Sequence, residues 1–258
     1  ILAPDQAKLA ELYKECEFKR WLAEVLSNGD TPPPVGASSK SNSERDTEEA
    51  APTVDIDRNQ YQTIFSLEQW QSTITEILKA DLIAFDTETT SLDYMEAELV
   101  GVSFAVEPGK AAYVPLTHDY VGAPEQLDRD QVLGLLKPLL EDPARAKVGQ
   151  HLKYDKNVLA RYDIDLRGIA YDTMLESYVF NSTATRHDMD SLSLRYLEHK
   201  TISFEEIAGK GKKQLTFNQI DLEQAGPYAA EDADITLRLH NLLIEKVNAD
   251  EKLKSVFD

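Results

Sequence analysis

Apolar positions along the chain change their spacing from region to region. Leu9, Leu12, Tyr13 and Cys16, then Trp21, Leu22, Val25 and Leu26, recur at three- and four-residue intervals, which predicts a helix over 6–27. Positions 28–56 carry no period. They hold Pro32, Pro33 and Pro34 followed by Ser- and Glu-rich sequence, the composition of a flexible linker, so a compact fold is expected to start near Tyr61. Segment 64–79 reads as helical at least from Ser66, an N-cap with Gln69 three residues on. Leu82–Phe85, Leu99–Val106 and Ala111–Leu116 read as strands, the last two joined by a Glu107-Pro108-Gly109-Lys110 turn. An amphipathic helix over Asp130–Leu140 and a brief strand at Lys147–Gly149 follow, then helices near 152–161, 171–180 and 190–199. Residues 200–221 look irregular, and a last helix is expected from Pro227, at a tolerated first-turn position, to Val247. Strands joined by a hairpin, a further strand after a helix, then helices: the pattern predicts an α/β fold with a mixed sheet.

Composition narrows the class. The 258 residues are 42% hydrophobic, enough to bury a core, and no apolar run approaches the length of a membrane span. One cysteine, Cys16, leaves no internal disulfide framework and fits a reducing compartment. The charged N-terminal region does not read as a signal peptide, and a start at Ile1 reads as a piece of a longer chain. With 27 basic and 46 acidic residues the net charge is −19, which argues against unaided duplex binding unless cations or a basic neighbour reverse the field.

Phosphate-loop, dinucleotide and zinc motifs are absent. Gly101-Val-Ser103-Phe-Ala105 approaches a nucleophile elbow but lacks the final glycine and falls inside a strand; Gly209-Lys-Gly-Lys-Lys213 reads first as a solvated loop. Carboxylates are plentiful, so context must discriminate. Of the Asp-x-Glu pairs, Asp46/Glu48 lies in the linker and Asp221/Glu223 at a loop–helix junction. Asp86/Glu88 instead ends the apolar strand Leu82–Phe85, where ligands collect at sheet ends. Side chains two positions apart in extended backbone share a side, and two such carboxylates repel unless a cation lies between them. Tyr228 and Asp232 share a helix face, and Asp155 falls in the first turn of a helix; taken alone, each also reads as ordinary packing or a favourable helix-end charge. Asp172 and Asp190 read as helix caps.

Phe85-Asp-Thr-Glu-Thr89, Val148-Gly-Gln-His-Leu-Lys-Tyr-Asp155 and Tyr228-Ala-Ala-Glu-Asp232 resemble the three exonuclease motifs of the DEDDy family. In detail the chain is similar to the 3′→5′ proofreading exonuclease domain of bacterial DNA polymerase I, from about Tyr61 to the end and through the stretches 171–178, 186–192 and 201–217. The resemblance implies a ribonuclease H-like mixed sheet flanked by helices (61–258), preceded by a helical tail of a 5′-nuclease region (1–27) and a flexible linker (28–60). It implies two divalent ions, Mg²⁺ or Mn²⁺, clamping the attacking and leaving oxygens of an in-line displacement. Asp86, Glu88 and Asp232 would hold the first ion, Asp86 would bridge to the second with Asp155 behind it, and Tyr228 would orient the attacking water. The implied products are a shortened strand and a nucleoside 5′-monophosphate.

The implied substrate is a single-stranded or frayed DNA 3′ end. Its bases would be wedged by Leu92 and Phe204, and Gln150, His151, Tyr154 and Arg186 would lie near the strand. Core packing is the competing reading for Leu92 and Phe204. Position 151 departs from close relatives, which carry Asn, and is expected to give a pH-sensitive contact. The implied partner is the polymerase domain of the same parent chain, in the cytoplasm of a bacterium and with its nucleoid, and nothing in the sequence points beyond a monomer. Two alternatives remain: a silent domain that supports a polymerase, and an RNase D-like enzyme acting on RNA.

Overall fold

The structure, a computed structural model, describes residues 8, 13, 14 and 56–257. It divides into two units, Ile1–Glu48 and Glu49–Asp258. The helix expected over 6–27 lies outside the described residues except for Lys8, Tyr13 and Lys14, of which all three are helical, and of the linker expected over 28–60 only residues 56–60 are described. In the second unit the packed chain reaches back to Ile56, which lies against the Leu192, Tyr196 and Leu243 cluster. Arg58–Gln60 then forms one 3-10 turn, capped by the Asp57 side chain.

Six strands form one mixed sheet: β1 (Gln62–Thr63), β2 (Leu82–Thr89), β3 (Leu99–Glu107), β4 (Lys110–Pro115), β5 (Ala146–Gly149) and β6 (Ile169–Asp172), in the order β1-β4-β3-β2-β5-β6. The pairs β2–β3 and β3–β4 are antiparallel, and the remaining neighbours are parallel. β2 does not end at Phe85. It continues to Thr89 because β3 keeps pairing with it, Asp86 opposite Ser103 and Glu88 opposite Gly101. Ser103, at the near-elbow sequence, is fully buried in β3. The edge strands β1 and β6 were not legible in the sequence, being two and four residues long and largely exposed.

The helices are α1 (Leu67–Ile77), α2 (Arg129–Leu140), α3 (Lys153–Ala160), α4 (Thr173–Asn181), α5 (Met189–Tyr196), α6 (Phe204–Ala208), α7 (Leu222–Asn248) and α8 (Glu251–Phe257). Among the described residues none is long and apolar enough to cross a membrane. The Ser66/Gln69 capping box opens α1 as expected. Asp172 caps α4, but Asp188 rather than Asp190 caps α5, and Asp190 accepts from Thr201 Oγ1 instead. The span 200–221 is not wholly irregular, since it holds α6 and two 3-10 turns.

α7 begins before Pro227, which therefore lies inside the helix and not in its first turn. Asp221 sets that start by capping Glu223 N–H, and Leu222, Ala225 and Gly226 are buried against the sheet. Packing here outweighs the hydrogen bond that Pro227 cannot donate.

Alternation along β2 sorts its side chains between the two layers. Ile83 and Phe85 join the core under α1, α2 and α3, with Trp70, Leu136 and Val158. Ala84 faces the other way, into the cluster built by Ala225, Ala229, Ala230, Ala233 and Leu237 of α7. Asp86 and Glu88 continue the Ala84 side, and the small side chains of α7 let the helix close down on it.

Candidate active site

The carboxylates are brought together by this layering. β2 supplies Asp86 and Glu88, α7 supplies Asp232, and one oxygen from each lies within 4.8 Å of the other two. Thr87, between the two β2 acids, points to the opposite face and meets α3. Its N–H and its Oγ1 donate to Asp155 Oδ1 at 3.0 and 2.5 Å. Asp155 is thus held beside the cluster, 2% exposed, at the first turn of α3. Thr87 was not foreseen as a site residue, though strand alternation alone places it on the far side from its neighbours.

The electrostatics are unfavourable to bare carboxylates. Burial first, then the charges of Asp155, Glu88 and Asp232, holds Asp86 well above the usual carboxylate range. Glu88 is raised by burial and by Asp232 and Asp155. Asp232 is raised by burial, Glu231 and Asp190, against a hydrogen bond from Tyr228 that lowers it. Asp155 is pushed up to about 6 by burial, with the bonds from Thr87 acting in the other direction. Glu88 Oε1 is buried without a hydrogen-bond partner. An orphaned buried oxygen within a set of hard oxygen donors fits a divalent cation of the Mg²⁺ or Mn²⁺ kind.

Tyr228 lies one turn before Asp232 on α7. Burial and the charges of Asp232, Glu88 and Asp86 raise its hydroxyl well above the ordinary phenol value, so it keeps its proton at neutral pH. Phe217 and Phe204 brace its ring at 5.8 and 6.3 Å between centroids. Phe217, buried in a stretch read as irregular, was missed by sequence reasoning. Tyr113 crosses β3 next to Glu88 because Gly101 has no side chain: a Cβ there would lie 2.2 Å from the Tyr113 hydroxyl oxygen.

The residues expected near a strand are placed unequally. Leu92 is 95% exposed in the loop after β2, so core packing does not account for it, whereas Phe204 is half-buried against Tyr228 and Phe217. Gln150 is committed internally: its amide donates to His187 O at 2.8 Å and accepts from Thr173 Oγ1. His151 is exposed with a left-handed backbone (φ 62°), its N–H donating to Asp172 Oδ1. The Tyr154 hydroxyl is tied to Ser91 O and Thr89 Oγ1 at the base of the Leu92 loop. Arg186 is exposed and makes no ion pair among the described residues. In the basic stretch 209–213, Lys210 pairs with Glu205, and Lys212 and Lys213 are exposed.

This sheet order, with α7 crossing it and the acids collected between them, defines a ribonuclease H-like fold. Solved structures share it at low identity. They include Brucella melitensis NrnC (TM-score 0.51, 20% identity, 76% of this chain and 86% of that one). Another is the Aedes aegypti Nibbler EXO domain (TM-score 0.56, 15% identity, 81% of this chain and 100% of that one). Residues 61–248 match the family described as 3′-5′ exonuclease, and the chain belongs to that family. It is 56% identical to DNA polymerase I of Pseudomonas aeruginosa over 262 residues, covering 98% of this chain and 26% of the relative. Against DNA polymerase I of Rhizobium leguminosarum it is 42% identical over 240 residues, covering 86% of this chain and 23% of the relative. The chain thus spans about a quarter of the length of these curated relatives.

Proposed function

We propose that the chain hydrolyses phosphodiester bonds at single-stranded or frayed DNA 3′ ends, releasing nucleoside 5′-monophosphates, as the proofreading part of a DNA polymerase I in the bacterial cytoplasm. The observation that carries this reading is the approach of Asp86, Glu88 and Asp232 within 4.8 Å around a buried, unpartnered Glu88 oxygen. Asp86, Glu88, Asp232 and Asp155 would hold two divalent ions. When bound, those ions supply charge neutralisation and a clamp on the attacking and leaving oxygens. Asp155 keeps its place through Thr87, so the second carboxylate shell is set by the strand itself. Tyr228, protonated at neutral pH and braced by Phe217, offers a hydroxyl beside Asp232 that orients the attacking water. Leu92, projecting from a loop anchored by Tyr154, wedges against a terminal base, and Phe204 lines the floor. Arg186 is an available cation for the strand's phosphates. Gln150 serves this site by holding the 187 turn, because both ends of its amide are occupied within the fold.

The test is a 5′-labelled single-stranded DNA oligomer incubated with the chain in chelator, Mg²⁺ or Mn²⁺, beside an Asp86→Ala, Asp155→Ala double variant. A metal-dependent ladder shortening from the 3′ end, lost in the variant, is expected. An intact oligomer at high enzyme concentration with either ion would overturn the reading in favour of a silent supporting domain. Faster cleavage of an all-RNA strand would move the substrate class to RNA.

A further inference from the structure

Outside the carboxylate cluster, one heavily engaged buried charge is Glu231, the residue before Asp232. It is fully buried on α7. Arg58 Nε and Nη2 meet its Oε1 at 2.8 and 2.7 Å, and His199 Nε2 lies 2.8 Å from the same oxygen. Its Oε2 accepts from Ile202 N–H at 2.7 Å, while Arg58 Nη2 also donates to Lys200 O at 3.2 Å. Three residues on, the Tyr61 hydroxyl donates to Asp234 Oδ2 at 2.7 Å. The short segment 58–61 therefore grips two acids, Glu231 and Asp234, that flank Asp232 on α7.

Resting on the function proposed above, we propose that Arg58 is a positioning residue for the exonuclease site. By bridging Glu231 and the Lys200 carbonyl, it locks segment 199–204 onto the turns of α7 that carry Tyr228 and Asp232. The connection can be followed bond by bond. Arg58 fixes the Glu231 carboxylate, which holds the Ile202 amide; the next residue, Ser203, opens α6 with a capping box. Phe204 is the first residue of α6, and its ring packs on Tyr228. An ion pair supplied by the segment ahead of the sheet thus decides where the aromatic floor and Tyr228 stand relative to the acids. A group that must be held in a productive geometry is sensitive to small displacements, and misplacement by about 1 Å from a remote change can cost up to about a hundredfold in rate.

Arg58→Met and the conservative Arg58→Lys are compared with wild type on the single-stranded oligomer at saturating Mg²⁺. Amide exchange at Ile202 and thermal stability are measured on the same preparations. Arg238→Met is the control: it removes a more deeply buried pair on the same helix, Arg238–Asp234 at 2.9 Å, and the other hydrogen bonds of Asp234 run to Tyr61 and Gly109 rather than to segment 199–204. Arg58→Met is expected to lower kcat about tenfold with KM within about twofold and to speed Ile202 exchange about tenfold, Arg58→Lys recovering most of both. Arg238→Met is expected to lose stability and keep kcat within about twofold. A kcat for Arg58→Met within about twofold of wild type, or an equal loss in Arg238→Met, would overturn the positioning role. Ile202 exchange needs no turnover. Should the wild-type chain cleave nothing, the function reading fails by itself, and unchanged Ile202 exchange in Arg58→Met would separately refute the lock. If Arg58→Met does not fold, Arg58→Lys decides on the same readouts.

Discussion

Asp155 carries a cost that its neighbours relieve only in part. Its carboxyl is pushed up to about 6 by burial even though Thr87 donates to it twice. Asparagine at this position keeps an acceptor for Thr87 and removes the charge. In chelator at pH 7, Asp155→Asn is expected to be more stable than wild type by on the order of 1–2 kcal/mol. Mg²⁺ or Mn²⁺ should then raise the melting temperature of wild type more than that of the variant, because an ion stabilises only the state that binds it. A variant less stable than wild type in chelator would refute this account. Asp86, Glu88, Tyr228 and Asp232 could be singled out from residue type, spacing and the family's motifs. Thr87, Glu231 and Arg58 could not, since nothing in the chain marks Thr87 as the anchor of a residue in another helix, or Arg58 as the partner of an acid far along the chain.

At the scale of elements, the site depends on how α7 meets the sheet and on what ties their ends together. His118, after β4, is one such tie: Nδ1–H donates to Ile220 O at 3.1 Å, leaving Nε2 to accept from the Tyr113 hydroxyl at 2.8 Å. Burial lowers this imidazole from 6.5 to about 4, so the folded chain holds it neutral. As pH falls below 6.5 the unfolded chain takes up a proton that the folded chain refuses, and stability is lost progressively between 6.5 and about 4. Between pH 7 and 5, wild type is expected to lose about 1–2 kcal/mol more than His118→Gln in urea unfolding. Parallel losses in the two proteins would show that His118 is not responsible. The hairpin β3–β4, the capping box of α1 and the body of α7 were legible because each is written in local pattern. The extension of β2 to Thr89 and the start of α7 at Leu222 were not, because pairing with β3 and burial of Ala225 and Gly226 decided them.

For the whole molecule, a charge of −19 sets how nucleic acid can be approached. Phosphate affinity is mostly electrostatic, so the chain alone is expected to bind duplex DNA more weakly than about 1 μM without divalent ions, and to lose binding steeply as salt rises. Anisotropy titrations over a salt series would check this, and submicromolar metal-free duplex binding would contradict it. Local pattern was enough for the α/β class, the main strands and helices, the acidic character and the residues able to serve as hard oxygen ligands, because periodicity, capping and side-chain chemistry are local properties. Folding, by contrast, was needed to turn Asp86 and Glu88 toward α7, to let its alanines bring Asp232 within 4.8 Å of both, and to leave Leu92 projecting while Gln150 is engaged inside. Those are distances between chain segments far apart in sequence, set by sheet register and layer packing, and no local pattern encodes them.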